Sequence, residues 1–210
     1  MKKPIVVLAI FVTALFASEQ SHAFDFGLKL GYTASKLSTN IDTIKSTMGN
    51  GFHVGAFVRI GKRVHLQPEF YYTLSGATFE NLGVGTIDDW KQKVTVGTLD
   101  VPVLIGFNII QSKAIKWRIM VGPEASFVVN SKIEDMNPDV TGPIEKANLR
   151  TTNWFIQVGT GIDFLFLTLD VRYQAGLNSL INDVTGKNGT VYPVNSKGNL
   201  FVVSLGFKII

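Results

Sequence analysis

The stretch 201-FVVSLGFKI-209, near the end of the chain, alternates in a way that predicts its fold. Its odd-numbered positions are all apolar, whereas its even-numbered positions include Ser204, Gly206 and Lys208. Successive side chains of a β-strand point to opposite faces, so this pattern is typical of a strand with one apolar face and one polar face.

The same two-residue period recurs seven more times along the chain. It covers residues 24–32, 52–60, 64–74, 99–107, 117–127, 154–162 and 169–177. Short connections fall at 61–63, 110–113 and 165–167, and long ones at 36–50, 76–89, 131–150 and 179–197. Short turns at one end and long loops at the other describe an up-and-down meander of eight antiparallel strands, as in bacterial outer-membrane barrels. An even strand number then predicts that both termini lie on the periplasmic side.

The first 23 residues predict a secretory signal peptide. Met1-Lys2-Lys3 gives a positive start, residues 4–16 are apolar apart from one threonine, and small residues precede a cleavage site after Ala23. An N-terminal membrane anchor is the alternative, but the apolar run is shorter than the roughly 20 residues that a spanning helix needs. We therefore expect a signal peptide at 1–23 and one barrel domain at 24–210.

Composition excludes several classes of protein. The 210 residues are 46% hydrophobic and 17% charged, and none is cysteine. A disordered chain and a disulfide scaffold are excluded, as is any cysteine-ligated metal site. The formal charge of +4 comes without runs of basic residues, so nucleic acid is not an expected partner.

The charged residues decide between two kinds of barrel. A soluble, lipocalin-like barrel has an apolar interior, whereas a membrane barrel has lipid outside and polar groups within. Six acids and six bases fall on one face of the predicted strands, together with nine glycines that leave room for long side chains. We expect this set to form a charge network in the lumen: Asp25, Lys29, Arg59, Glu69, Asp100, Lys116, Arg118, Glu124, Asp163, Asp170, Arg172 and Lys208.

The opposite face is almost wholly apolar, which favours a transmembrane β-barrel in the outer membrane. Aromatic residues near the strand ends predict girdles at the two interfaces: Tyr32, Trp90, Phe107, Trp117, Trp154 and Phe207. An eight-stranded barrel is only wide enough for its own side chains, so a general diffusion porin is not expected.

Two local features predict irregularities in the strands. A break in the alternation at Val96-Gly97-Thr98 predicts a β-bulge. Pro102 and Pro123 interrupt strands where a backbone donor is normally needed, which suggests bulges or local barrel curvature. Curvature is the interpretation we favour.

Four motifs resemble the outer-membrane β-barrel family of Bacteroidetes, often called PorT-like or porin-family proteins. They are 66-LQPEFYY-72, 99-LDVPVL-104, 159-GTGID-163 and 169-LDVRYQAGL-177. The resemblance covers the whole chain after Ala23 and implies an eight-stranded barrel of the OmpA/OmpX shape. The founding member of the family is linked to protein export across the outer membrane, but the four motifs are barrel framework and do not imply that role for this chain. The chain ends on isoleucine, whereas such barrels often end on an aromatic residue.

Catalysis and metal binding have few candidates. His53 should face inward near the outer rim, where Ser126 or Asp183 would be its candidate partners in a rim enzyme. A hydrogen-bonded lumen histidine is the interpretation we favour for His53. His65, near the short turns, is a weaker catalytic candidate. Acidic residues in the loops match no calcium-binding pattern.

The sequence thus predicts an integral outer-membrane protein with a structural or surface-interaction role, without catalysis, cofactor or metal. Its expected partners are outer-membrane lipid, the barrel-assembly machinery and an extracellular or secretion-system protein bound through the long loops. An export accessory factor and a rim enzyme using His53 are the alternatives.

Overall fold

The computed structural model describes residues 24–38, 44–81, 91–136, 150–178, 184–185, 191–192 and 197–209. The predicted signal peptide and its cleavage site at Ala23 lie outside the described residues. The strands are β1 (Phe24–Ser38), β2 (Ile44–Gly61), β3 (Val64–Asn81), β4 (Lys91–Gln111), β5 (Ile115–Asp135), β6 (Thr152–Phe164), β7 (Leu167–Gly176), β8 (Val184–Thr185), β9 (Val191–Tyr192) and β10 (Lys197–Lys208).

Eight of these strands close into an antiparallel barrel, which confirms the predicted fold class. The order around the barrel is β1-β10-β7-β6-β5-β4-β3-β2, and β8 and β9 form a separate two-stranded sheet within the last long connection. The strand partners of Phe24 in β1, followed once around the barrel, lead back to β1 at Ala34, ten residues further along. A stagger of this kind requires strands that tilt against the barrel axis.

Short and long connections lie at opposite ends, as predicted, but the strands reach further than expected. The predicted long connections at 36–50, 76–89 and 131–150 are partly strand, because pairing continues to Ser38 in β1, Asn81 in β3 and Asp135 in β5. These strand ends lie outside the apolar part of the barrel wall, so no apolar alternation in the sequence identifies them as strand. Strands β2–β5 continue past the level of Trp154 of β6, towards the long connections. We call this part of the barrel the extension; it consists of residues 44–50, 76–81, 91–97 and 128–135.

Inward and outward faces differ sharply in chemistry. In β1, the outward Leu28 is 54% exposed, whereas its neighbour Lys29 is 2% exposed. In β6, Val158 is exposed and Gln157 is buried. The described interior is mostly polar, and the apolar side chains cover the outside. This arrangement is that of a membrane barrel rather than a lipocalin-like one.

The bulge predicted at Val96-Gly97-Thr98 has its extra residue on the facing strand. Gly97 pairs with Asn130 and Thr98 pairs with Val128, so Val129 of β5 is the residue without a partner. β4 keeps its alternation through this point, and Val94 turns inward, where it is buried. The β-bulge predicted at this point is therefore confirmed, with its extra residue, Val129, in β5. The break in the apolar pattern of β4 itself marks a change from inward to outward apolar positions.

The two strand prolines do not shift the register. Pairing between β4 and β5 has the same register at Pro102–Glu124 as at Ile105–Val121, and β5 keeps one register with β6 through Pro123. No bulge lies at either proline. The constant register contradicts the bulge interpretation, and local curvature at the two prolines stays a prediction.

The turn between β6 and β7 contains a strained residue. Phe164 pairs with Leu167, which leaves a two-residue turn, and Leu165 at its first position has a φ of 53°. Turns of this kind favour glycine or asparagine there, and a left-handed conformation costs other residues about 1–2 kcal/mol.

Candidate functional site

The lower part of the lumen, nearest the short turns, holds the first half of an ionic network. Arg59 of β2 lies 3.2 Å from Asp25 of β1 and 2.7 Å from Asp163 of β6. Asp163 also pairs with Arg118 of β5 and lies 3.3 Å from Lys208 of β10. Asp163 is thus a single carboxylate shared by three cations from three different strands.

The middle of the lumen holds the second half, around Asp170 and Glu69. Asp170 of β7 pairs with Lys29, Arg118 and Arg172, the last at 2.8 Å. Glu69 of β3 lies 2.6 Å from Lys29, and Arg172 donates to both of its carboxylate oxygens. Arg118 therefore links the two halves into one chain of ion pairs, which we call the ladder.

The ladder satisfies the requirement that a buried charge has an opposite partner. The side chains of Lys29, Glu69, Arg118 and Asp170 have no exposed surface. Removal of such ions from water costs several kcal/mol each, and only close pairing with further hydrogen bonds offsets this. Bidentate contact between guanidinium and carboxylate, as between Arg172 and Glu69, is the strongest form of such pairing.

Two of the predicted network carboxylates are not part of the ladder. Asp100 accepts hydrogen bonds from Thr73 and Ser126, each at 2.5 Å. Glu124 accepts hydrogen bonds from Gln157 and from Gln174, the latter at 3.3 Å. Both carboxylates are buried, and their described hydrogen-bond partners are neutral. These two members of the predicted charge network are therefore held by neutral groups and lie outside the ladder.

Lys116 also stands apart from the ladder. It lies half-buried near the short turns, and no ion pair reaches it within the described residues. The other nine predicted charges are joined by the ladder.

Inward glycines give the long side chains their space. A Cβ on Gly31 would overlap the His53 ring, one on Gly106 would overlap the His65 ring, and one on Gly161 would overlap Asp170 and Arg118. Their position on the charged face was apparent in the sequence, but which side chain each one accommodates was not.

We expect the substitution Gly106→Ala to destabilise the barrel by about 1–3 kcal/mol, as overpacking typically does. The three nearest atoms that its Cβ would meet all belong to the His65 ring. The same change made in a His65→Ala background should therefore cost much less. Urea unfolding of the four proteins in lipid vesicles measures this coupling. Equal costs in both backgrounds would show that the ring does not occupy this space.

Apolar side chains complete the filling of the lumen, and sequence reasoning missed them. Seven apolar or aromatic residues are buried there: Phe57, Tyr71, Val94, Leu104, Met120, Phe155 and Val202. Several lie inside uninterrupted apolar runs such as 103-VLI-105 and 154-WFI-156, where the composition cannot show which residues point inward. The ladder and these side chains leave the interior packed rather than open.

His53 lies in the lumen with neutral partners. Its Nε2 is 2.9 Å from the Ser204 hydroxyl, and its Nδ1 is 3.3 Å from the Thr33 hydroxyl. The candidate partner Ser126 instead donates to Asp100, and Asp183 lies outside the described residues. The structure thus brings two hydroxyls to His53, neither of them the expected one, and Ser204, the nearer of the two, is 1% exposed.

The predicted girdle residues face outward in two groups. Tyr32 and Trp154 lie towards the long-loop end, and Phe107, Trp117 and Phe207 towards the short turns; all five are exposed. Polar atoms accompany two of them: Tyr32 donates to Asn50 at 2.6 Å, and the Trp117 indole donates to Thr160 at 2.8 Å. Trp90 lies outside the described residues.

Two other kinds of feature are missing from the described residues. No group of three or more histidine, aspartate or glutamate side chains in that part of the chain is placed to hold a metal ion. Within the same residues, no α-helix is both long and apolar enough to cross a membrane.

Comparisons with known proteins agree on the architecture. The family model described as outer membrane protein beta-barrel domain matches residues 16–182. No curated protein gives a significant match. The outer membrane protein OprG from Pseudomonas aeruginosa is similar in structure, with a TM-score of 0.54 at 13% identity, over 89% of this chain and 96% of that one.

Two further solved structures show weaker likeness. The attachment invasion locus protein Ail of Yersinia pestis has a TM-score of 0.44 at 11% identity, over 89% of this chain and 99% of that one. The outer membrane enzyme PagL has a TM-score of 0.46 at 12% identity, over 89% and 100%. The likeness to OprG, at 13% identity, shows the fold alone, and no argument is based on the two weaker ones.

Proposed function

Since the chain belongs to the outer membrane protein beta-barrel domain family, we propose that it is a closed, non-catalytic barrel that acts through its extension at the cell surface. The short turns and both chain ends would then lie in the periplasm, and the long connections would lie outside the cell. The four sequence motifs support the further proposal that it is a PorT-like protein of Bacteroidetes.

The extension is the observation that carries this proposal. A transmembrane strand needs about 9–11 residues, whereas β4 and β5 each have 21. Among the extension residues whose side chains are described, Lys93, Lys132 and Glu134 are exposed. Lys132 and Glu134 pair at 2.6 Å. Such a surface suits water and a protein partner rather than lipid.

The lumen supports the same proposal by leaving little room for transport or catalysis. Its centre is filled by the ladder and by buried apolar side chains. Ser204, the hydroxyl nearest to His53, is buried. The described hydrogen-bond partners of His53 are both hydroxyls, so none is a carboxylate that would orient the histidine for acyl transfer.

Three strains that express equal amounts of folded protein test the proposal. The first has the wild-type chain, the second has residues 77–94 replaced by an Asn-Gly turn, and the third has His53→Ala. Adhesion of cells to immobilised serum and matrix proteins should fall only in the second strain. Loss of adhesion, or of lipid hydrolysis, in the His53→Ala strain would instead favour a rim enzyme. Reduced protein secretion in the second strain would favour an export role.

A further inference from the structure

The turn between β6 and β7 differs in chemistry from the other two short turns. All four residues of 164-FLFL-167 are apolar and exposed, with Leu165 at 54% and Phe166 at 51%. The other turns expose Lys62 and Arg63, between β2 and β3, and Ser112 and Lys113, between β4 and β5. We call residues 164–167 the apolar turn and Lys62 with Arg63 the basic turn.

Neighbouring strands fix the apolar turn in place. The Leu165 N–H donates to the Ala114 carbonyl at 3.0 Å, and the Lys208 N–H donates to the Phe166 carbonyl at 2.7 Å. The rings of Phe166 and Phe207 lie 5.1 Å apart. The exposed apolar surface of the turn is therefore held rigidly, and through Phe207 it is continuous with the lipid-facing side of the barrel.

The basic turn lies on the opposite side of the barrel. Four strands separate the β2–β3 turn from the β6–β7 turn in either direction around the closed sheet. The Arg63 guanidinium lies 5.3 Å from the centre of the Phe107 ring, so a cation stands at the level of the girdle on this side. Lysine and arginine at such a level are attracted to lipid phosphates, whereas apolar side chains are not.

We propose that the apolar turn is immersed in the hydrocarbon of the leaflet at the turn end, while the basic turn lies among the lipid headgroups. The barrel axis is then tilted from the membrane normal, with the β6–β7 side drawn into the bilayer. This inference goes beyond the proposed function and does not depend on what the extension binds.

Lipid is the occupant we favour because the apolar turn continues an established lipid-facing surface. A groove for another protein would be expected to carry polar groups that give specificity. The side chains of the turn and of Ile115, Phe207 and Ile209 are all apolar. The exposed Lys113, which precedes Ala114, lies at the edge of this surface rather than within it.

The absence of cysteine from the sequence allows a direct test. Spin labels are placed one at a time at Leu165→Cys, Phe166→Cys, Lys62→Cys and Val158→Cys, and the folded proteins are reconstituted in phosphatidylethanolamine–phosphatidylglycerol vesicles. Labels at 165 and 166 should collide with oxygen more than with a water-soluble nickel complex, as the label at 158 should. The label at 62 should show the reverse preference.

Three results would overturn the proposal. Preference for the nickel complex at 165 and 166 would place the turn in water. Shielding from both reagents would show that a protein covers it, and spin–spin broadening between labels at 166 would identify that protein as a second copy. Heat-modifiable mobility on a gel confirms that each variant is folded. Labels at 165 and 166 test the same prediction independently, so the failure of one variant to fold leaves the other to decide it.

Discussion

Replacement of Asp170 by asparagine should lower the free energy of unfolding by about 3–5 kcal/mol, the usual cost when one partner of a buried ion pair is removed. Asp170 is 0% exposed and pairs with Lys29, Arg118 and Arg172. The amide leaves Lys29 and Arg172 to share Glu69 alone. Arg118 is left with Asp163, which Arg59 and Lys208 also contact. The buried cations are then in excess over the carboxylates that neutralise them.

The matched control removes a carboxylate charge from an exposed pair. Glu134→Gln breaks the contact with Lys132, in which both side chains are exposed, and stability should stay close to that of the wild type. Urea unfolding in lipid vesicles, followed by tryptophan fluorescence, compares the two variants. Similar small changes in both would show that the ladder contributes little to stability.

Replacement of Val158 by arginine should cost about 2–4 kcal/mol, as expected for a cation that faces lipid near the bilayer midplane. Val158 is 56% exposed and lies at the middle of the apolar face of β6. Its neighbours across the sheet, Val121 and Tyr173, are also exposed, and neither supplies a negative charge for the guanidinium.

Val129→Arg is the control, because it introduces the same change on an equally exposed valine. Val129 is 52% exposed and lies at the base of the extension, where we expect a cost of about 0–1 kcal/mol. Refolding into vesicles and urea titration measure both. Equal costs at the two positions would mean that the apolar face does not contact the hydrocarbon core.

The sequence was sufficient for the barrel because alternation survives in every strand. A stretch such as 201–209 shows its two faces without any knowledge of its neighbours. Which residues face each other inside is a different matter. Asp170 of β7 meets Lys29 of β1 only because of the stagger of the closed sheet, which local patterns do not contain.

The same limitation explains the other differences. Asp100 and Glu124 were predicted to join the charge network because they share a face with the bases. In the barrel, those bases lie nearer the short turns than the two acids do. Alternation alone predicts a polar interior, so it does not identify Val94 and Leu104 as interior residues, although packing of the lumen also requires apolar side chains. Strand lengths were underestimated because β-pairing in the extension does not need an apolar face.

The ladder gives the β1–β10 seam a role during insertion into the membrane. Lys29, on the first strand, finds its carboxylates on the third and seventh strands of the chain. A sheet that has crossed the bilayer but has not yet joined its ends would leave that ammonium group facing hydrocarbon, together with Asp170. Partly assembled forms are therefore penalised, and the barrel should enter the membrane in one cooperative event, with its first and last strands meeting before the bilayer seals around them.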